Sequence, residues 1–421
     1  MTVSAAMDSY DVIIVGAGTN GLGAAYHATA RGLKTLLIDQ YDIPNSVNSS
    51  KGIERIFRIM YAQPSQIRIT ESAYALWHAI QAAYGTEILA PEELLFFGHS
   101  DAPPTPEGNL QQAAEAMSRM GIPYVTLDSP AQIAARFPVL NPATMPSTYI
   151  GLVQRQGASI NVQASHQAML ALANATGHLT MMSQTKVTQI SPDGTGYLVS
   201  TLAGSVSQDF FAEHLIVCAG VWANDALQGL GLRQSPDWKI WQMTYAYWRV
   251  QGGAHMPLWY EFGNTPTNPD GLFYGFPKLD FAPDGLVKMS ADYTNTILED
   301  PSGITSTPDP RILSDLVDHL GRLFVPGVID VPNHQNAGTC LYSMSPDTNL
   351  VIGKIPDLGG SAGSAFQNAS MCIMASGRGF KYAPIFGRVL VELAVDGEST
   401  YTPDLEEFDS FRGGLFVPAT T

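Results

Sequence analysis

The stretch that most constrains this chain runs from Asp11 to Asp39. Asp11-Val-Ile-Ile-Val15 is almost continuously apolar and β-branched, which suits a parallel strand buried on both faces. Gly16, Gly18 and Gly21 follow at G-x-G-x-x-G spacing. Helix formers run from Leu22 to Arg31, Gly32 breaks them, and a second apolar strand, from Lys34, ends at Asp39. In such a unit the glycines allow a tight turn, close approach of backbone to a pyrophosphate, and close helix–strand packing. The helix N-terminus turns its free N–H groups and positive dipole end toward the phosphates. Asp39 lies 23 residues after Gly16, where a carboxylate accepts the ribose hydroxyls of an adenosine. Strand, glycines, helix, strand and terminal acid in register predict a doubly wound dinucleotide-binding fold.

A chain of 421 residues is long for a single core, which predicts two intimately joined domains. Its 45% hydrophobic and 14% charged residues describe an ordered globular protein. A formal charge of −16 argues against nucleic acid or an anionic membrane as partner, since both need basic surface. No apolar run reaches the ~18 residues that would cross a bilayer. Met1 to Met7 carry no basic region or long apolar stretch, and Val417-Pro-Ala-Thr-Thr421 is not a peroxisomal tripeptide signal. The default expectation is therefore a cytoplasmic protein, a monomer or small homo-oligomer. Cys218, Cys340 and Cys372 cannot all pair, and the nine histidines do not cluster, so no metal site is expected. Cys218 and Cys372 sit in strand-like apolar runs and read as buried small hydrophobes.

Along the chain, a turn-rich loop from Tyr41 to Gly52 leads to Ile53-Glu-Arg-Ile-Phe-Arg-Ile-Met-Tyr61, read as helical with Arg55 and Arg58 on one face. A helix is expected from Gln66 to Tyr84, a strand at Leu94–Phe97, and a helix near Leu110–Met120. Gly157-Ala-Ser-Ile-Asn-Val leads into another helix ending near Ala173, and short strands end at His214–Cys218. Ala219-Gly220 then closes a buried strand where bare backbone can approach a cofactor. Aromatic-rich segments at Ile240–Val250, Leu258–Phe262, Leu272–Phe276 and Leu286–Ala291 predict an antiparallel sheet walling a ligand pocket. Asp309 and Pro310 mark the start of a helix to Leu323. A strand at Leu350–Ile352 and a last helix at Ile385–Ala394 complete the reading.

Four stretches together resemble the monomeric sarcosine oxidase family of FAD-dependent amine oxidases, within the D-amino-acid-oxidase-like fold. They are the N-terminal fingerprint, Ser50-Lys-Gly-Ile-Glu-Arg-Ile-Phe-Arg58, Tyr274-Gly-Phe-Pro with Leu286-Val-Lys288, and Thr339-Cys-Leu-Tyr-Ser-Met-Ser-Pro-Asp347 continuing to Gly379-Phe-Lys-Tyr-Ala-Pro384. Leu272-Phe-Tyr-Gly-Phe and Ser376-Gly-Arg-Gly-Phe-Lys381 look most like the branch that oxidises cyclic imino acids such as piperideine-2-carboxylate. The resemblance implies FAD held by Gly16, Gly18, Gly21, Asp39, Ser50, Arg55, Gly220, Gly377, Gly379, Phe380 and Lys381. It implies a thioether from Cys340 to the flavin 8α carbon, chemistry open to a thiolate. Arg58 and Lys381 match the pair that binds the substrate carboxylate, Lys288 matches the lysine that activates oxygen, and Tyr274 falls in the same site. An arginine can grip a carboxylate bidentately while a lysine adds a second charge. A cation beside the flavin stabilises charge developing on oxygen.

Two departures stand out. Sarcosine oxidases proper have histidines where this chain has Asp292 and Arg378. Either the two pair with each other, preserving charge balance, or Asp292 meets the substrate's N–H and Arg378 a second polar group. Either way the pattern points away from simple sarcosine oxidation. The expected architecture is α/β: a Rossmann-type FAD domain (1–90, 151–230 and 335–421) with an antiparallel-sheet substrate domain (91–150 and 231–334). The expected activity is oxidation of a carboxylate-bearing secondary amine, a cyclic imino acid or N-alkyl amino acid. Hydride passes to flavin and O2 is reduced to hydrogen peroxide. The alternatives are an N-demethylating amino-acid oxidase, a dehydrogenase that passes electrons to a protein, and a non-catalytic FAD-binding module.

Overall fold

A computed structural model describes residues 7–45, 47, 49–106, 108–361, 363–374 and 376–419. The targeting expectations rest partly on residues 1–6, 420 and 421, which lie outside the described residues. The opening strand, Ser9–Val15, lies inside an eight-stranded sheet. It is parallel to Thr35–Ile38 on one side and to Val206–Val217 on the other. Thr35–Ile38 continues in parallel to Leu179–Met182, and Val206–Val217 to Ala365–Ile373. Successive side chains of the opening strand serve opposite faces, as a doubly covered strand requires. Val12 and Ile14 join the core shared with the helices, while Ile13 and Val15 join a second core beneath.

The helices Thr19–Ala30, Val162–Ala175 and Ala383–Val395 pack together on one face. The first and last cross closely enough that a Cβ on Gly387 would lie 2.2 Å from the carbonyl carbon of Gly23. The glycine turn is equally tight. Gly16 has φ +99°, and a Cβ there would meet Cys218 O at 2.5 Å, while one on Gly21 would meet Gly16 O at 1.8 Å.

The second sheet has ten strands among the described residues. In spatial order its main path is Ile297–Leu298, Lys239–Arg249, Leu286–Ala291, Leu272–Gly275, Leu258–Phe262, Leu89–His99, Tyr149–Asn161 and Glu54–Phe57. Gln335–Met344 pairs with Lys239–Arg249, and Val125–Leu127 with Tyr149–Asn161. The sheet is not wholly antiparallel as expected, because Leu258–Phe262 runs parallel to Leu89–His99. Those two strands are far apart in sequence, so no hairpin turn dictates their direction. Alternation sorts the faces: Leu95, Phe97, Trp248 and Trp259 pack outward with Ile312, Leu316 and Leu320 of the helix Pro310–Leu323. Leu94, Phe96, Tyr260 and Phe262 face inward, continuous with the first core. That outer helix begins where its cap signals put it, with Asp309 Oδ1 accepting from Arg311 N at 2.8 Å.

Three segments depart from the expected division of the chain. Glu54–Phe57, Tyr149–Asn161 and Gln335–Met344 all pair into the second sheet, although residues 1–90, 151–230 and 335–421 were assigned to the cofactor domain. The expected helix at Ile53–Tyr61 is also replaced by a strand, Glu54–Phe57, paired antiparallel with Tyr149–Asn161. Its β-branched isoleucines suit a half-buried strand once a long partner is present, and pairing overrides the local helical pattern.

Glycine to alanine in a helix interior normally gains roughly 0.5–1 kcal/mol. At Gly387 the close crossing reverses the sign. Gly387→Ala is expected to lower the urea-unfolding free energy by about 1–3 kcal/mol, the usual penalty of overpacking.

Candidate active site

A cleft of about 1190 Å³ opens at the carboxyl end of the first sheet. Gly16, Gly18, Asp39, Ser50, Arg55, Gly220, Gly377, Gly379 and Phe380 line it, with Tyr41, Trp222 and Tyr342. Gly21 does not; it packs beneath the turn against Gly16. The helix that starts at Thr19 has no side chain capping it at Gly18. Ser50 Oγ accepts from Thr19 N at 3.1 Å. Thr19 Oγ1 and Asn20 Oδ1 are buried without a hydrogen-bond partner among the described residues. Of these, the Thr19 hydroxyl can donate to a phosphate oxygen at the helix N-terminus, whereas Asn20 Oδ1 only accepts and suits a hydroxyl or N–H of a ligand. Asp39 stands at the end of its strand, holding Ala17 N at 2.7 Å and Tyr41 N at 2.8 Å. Burial raises its carboxyl above the ordinary value, and those backbone N–H groups oppose the rise.

A second cavity of about 910 Å³ adjoins the first, sharing Arg55, Tyr342, Gly377 and Phe380 with it. Arg58, Tyr274, Lys288, Asp292, Cys340, Arg378 and Lys381 all line it. The sequence-derived site residues therefore come together, apart from Gly21, in two joined cavities. Arg55 and Arg58 do not share a face, however. Arg55 turns toward the cleft, donating to Ser49 O at 2.7 Å with its guanidinium 5.4 Å from the Phe380 ring. Arg58, just past the strand, turns into the second cavity, 4.2 Å from the ring centre of Tyr61 and 4.9 Å from that of Phe96.

Distant elements fix these cations. The buried Gln154 accepts from Ile59 N and Met60 N at 3.2 and 2.9 Å, which sets the backbone that carries Arg58. Trp77, on the helix Pro64–Tyr84, donates to Lys381 O at 2.8 Å. Lys381 Nζ donates to Arg378 O at 2.6 Å and lies 5.7 Å from the same Tyr61 ring. Lys288 stands on Leu286–Ala291 with its ammonium 4.7 Å from the Phe276 ring and 3.5 Å from Glu54 Oε1. Asp292 accepts from Tyr260 OH at 2.7 Å. Arg378 donates to Pro106 O and Thr348 O, and its field, with those of Arg58 and Lys381, bears on Asp292.

Burial sets the protonation chemistry. It lowers Lys288, against the opposing field of Glu54, and lowers Lys381 to about 8, against that of Tyr61. It raises Asp292 despite the bond from Tyr260. Burial pushes the Tyr61 phenol up as well, but the fields of Arg58 and Lys381 outweigh it and bring Tyr61 down to about 7. Burial raises the Cys340 thiol, while Arg55, Lys288 and Lys51 pull it back. Cys218 and Cys372 are buried as expected but also line the first cleft.

The FAD dependent oxidoreductase family matches residues 11–393. The chain belongs to this family. It is 28% identical over 420 residues to the human peroxisomal sarcosine oxidase, covering 96% of this chain and 97% of that enzyme. It is 27% identical over 400 residues to an N-methyl-L-tryptophan oxidase of Yersinia pestis, covering 93% and 96%. The solved structure of NikD, described as an unusual amino acid oxidase essential for nikkomycin biosynthesis, superposes with a TM-score of 0.80 at 28% identity, covering 94% of this chain and 96% of that one. The glycine turn, the helix N-terminus with its unpartnered Thr19 hydroxyl and the carboxylate of Asp39 fit the family's FAD. The chain is thus an FAD-dependent oxidoreductase of mixed α/β fold. Among the described residues no group of three His, Cys, Asp or Glu could hold a metal, and no helix is long and apolar enough to cross a membrane.

Sequence reading missed Glu54, Tyr61, Tyr247 and Tyr260. Glu54 and Tyr61 flank the two noted arginines. The tyrosines alternate along strands already assigned to the pocket wall, so strand period two was the available signal. An ordinary tyrosine titrates near 10, whereas the two cations at Tyr61 hold it near 7. The ultraviolet titration of folded protein should therefore show one tyrosinate forming near neutrality, and Tyr61→Phe should abolish that step alone.

Proposed function

We propose that the chain oxidises a carboxylate-bearing secondary amine, a cyclic imino acid or an N-alkyl amino acid, with O2 as electron acceptor and hydrogen peroxide as product. The observation that carries this is the convergence of Arg58 and Lys381 on the ring of Tyr61, 4.2 and 5.7 Å from its centre, beside a cavity that also holds Asp292, Cys340 and Lys288. When bound, the flavin takes a hydride from the carbon beside nitrogen and passes two electrons to O2. The protein's own groups do the rest. Arg58 and Lys381 hold the carboxylate, and an anchored end orients the reacting C–H bond. Asp292, kept by Tyr260 at the cavity wall, accepts the proton that the amine must lose; a carboxyl raised by burial is a better base for this. Lys288 supplies positive charge where oxygen is reduced. Cys340 would hold the flavin, through a thioether to its 8α carbon.

A cyclic imino acid is favoured within this class. The pocket wall is built from Tyr245, Tyr247, Tyr260, Tyr274 and Phe276, and Asp292 and Arg378 replace the two histidines of sarcosine oxidases proper. Relatives named for sarcosine and N-methyl-L-tryptophan keep N-demethylation as the comparison. The two readings separate by product: equimolar peroxide with a cyclic imino acid and no formaldehyde supports the first. Formaldehyde from N-methyl substrates at higher kcat/KM would replace it with the second.

Two further outcomes are expected. After denaturation, flavin colour should remain with the polypeptide and be lost from it in Cys340→Ser. Carboxylate binding should weaken with pH, because Lys381 carries its charge only below about 8. Its lowered value means the ammonium is lost as pH rises through that range. Acetate affinity, read from the flavin spectrum, should begin to fall as the Tyr61 phenolate forms beside the same cations, and by up to roughly tenfold per unit as Lys381 loses its charge above about 8. Lys381→Met should bind acetate weakly and lose the Lys381 part of that dependence.

A further inference from the structure

Lys288 is not alone at the junction of the two cavities. Its ammonium donates to Glu54 O at 3.3 Å and stands 3.5 Å from Glu54 Oε1. Glu54 is 1% exposed, and Tyr247 OH donates to its two carboxylate oxygens at 3.0 and 3.3 Å. Tyr247 and Lys288 are direct cross-strand partners, whereas Glu54 lies on the opposite edge of the same sheet. The sheet therefore curls until its first strand touches its far strands through this one buried acid. A carboxylate so enclosed is costly unless paired, and Lys288 is the ammonium that pairs it. The other charged or titratable groups around Lys288 are Arg55 on the Glu54 strand, Tyr245 beside Tyr247, and Cys340 on Gln335–Met344.

We propose that Glu54, locked by Tyr247, is the positioning residue that keeps Lys288 charged and aimed for the reaction with O2. This rests on the reading of Lys288 given above. Forming H2O2 from O2 takes two electrons and two protons. The reduced flavin supplies both electrons and one proton, and the Lys288 ammonium supplies the other, which solvent then restores. Glu54 touches none of the reacting atoms on this account. It acts through Lys288 by opposing the loss of that proton in a dry site.

The test compares Glu54→Gln, Tyr247→Phe and Lys288→Met as holoenzymes in the two half-reactions. Anaerobic reduction by the amine should stay within about twofold of wild type in Glu54→Gln. The rate with O2 should fall about tenfold or more in Glu54→Gln at neutral pH, less than the roughly 10²–10⁴-fold of a positioned proton donor because Glu54 acts only through Lys288. It should recover as pH is lowered, because Lys288 without Glu54 loses its proton at lower pH. Tyr247→Phe, which removes one hydroxyl, should move the profile less in the same direction.

A second readout needs no turnover. Burial lowers Lys288 below its unfolded value, so the unfolded chain binds more protons in that window and stability rises with pH across it. In Glu54→Gln that rise should begin at lower pH, and Lys288→Met should remove the difference. Wild-type reoxidation and pH profile in Glu54→Gln, with Lys288→Met slow, would overturn the role of Glu54 alone. A normal rate in Lys288→Met would remove the Lys288 reading and this inference together. Equal loss in both half-reactions of Glu54→Gln would make Glu54 merely structural.

Discussion

Four cations held out of water govern this structure. Arg58, Lys288, Arg378 and Lys381 are 4–7% exposed, and each buried ion costs several kcal/mol unless its surroundings repay it. The repayment is visible and mostly backbone. Met60 O holds Arg58, Glu54 O holds Lys288, Arg378 O holds Lys381, and Pro106 O and Thr348 O hold Arg378. Aromatic faces from Tyr61, Phe96 and Phe276 add attraction for the charges above them. Only then do the acids, Glu54 and Asp292, complete the balance. A chain with a formal charge of −16 thus carries a cationic chamber, and its mean charge says nothing about what enters it.

The first sheet was legible because its signals are local. A continuous β-branched run, three glycines and a terminal acid fall within 29 residues, and each is demanded by a contact that the fold makes. Gly21, for instance, sits against Gly16 O where no side chain fits. The helix at Pro310–Leu323 was legible for the same reason, since Asp309 and Pro310 carry its start in two residues. The members of the site were legible through family resemblance, and the folding places them in adjoining cavities. Their grouping owes nothing to sequence proximity: Arg58, Lys288, Cys340 and Lys381 come from four separate segments.

What escaped was everything decided by pairing at long range. Ile53–Tyr61 looks helical in isolation, and only the strand Tyr149–Asn161 makes it extended. That single change separates the two guanidinium groups, leaving Arg55 at the wall the cavities share and Arg58 in the second cavity. Sheet pairing cuts across the expected boundaries in the same way, because Glu54–Phe57, Gln335–Met344 and most of Tyr149–Asn161, counted with the cofactor domain, hydrogen-bond into the other sheet. Tyr260 and Tyr247 were invisible as site residues because an aromatic strand announces a wall without saying which rings carry a hydroxyl to a carboxylate. Such bonds depend on the register across strands, which no local pattern specifies.

The misplaced strand also explains how two sheets act as one machine. Between Ser50 and Tyr61 the chain passes from the helix N-terminus of the first sheet to the heart of the second cavity. On the way it contributes Ser50 beside Thr19, Arg55 at the shared wall, Glu54 against Lys288, and Arg58 over Tyr61. Its strand part, Glu54–Phe57, advances about 3.3 Å per residue, against the roughly 1.5 Å of a helix. Alternation along the strand then points Glu54 and Arg55 in different directions, one to a lysine of the far strands and the other to the cleft. The strand is therefore what lets one short segment hold the cleft wall, Lys288 and Arg58 in a fixed relation. It explains why the departure from the expected helix falls here.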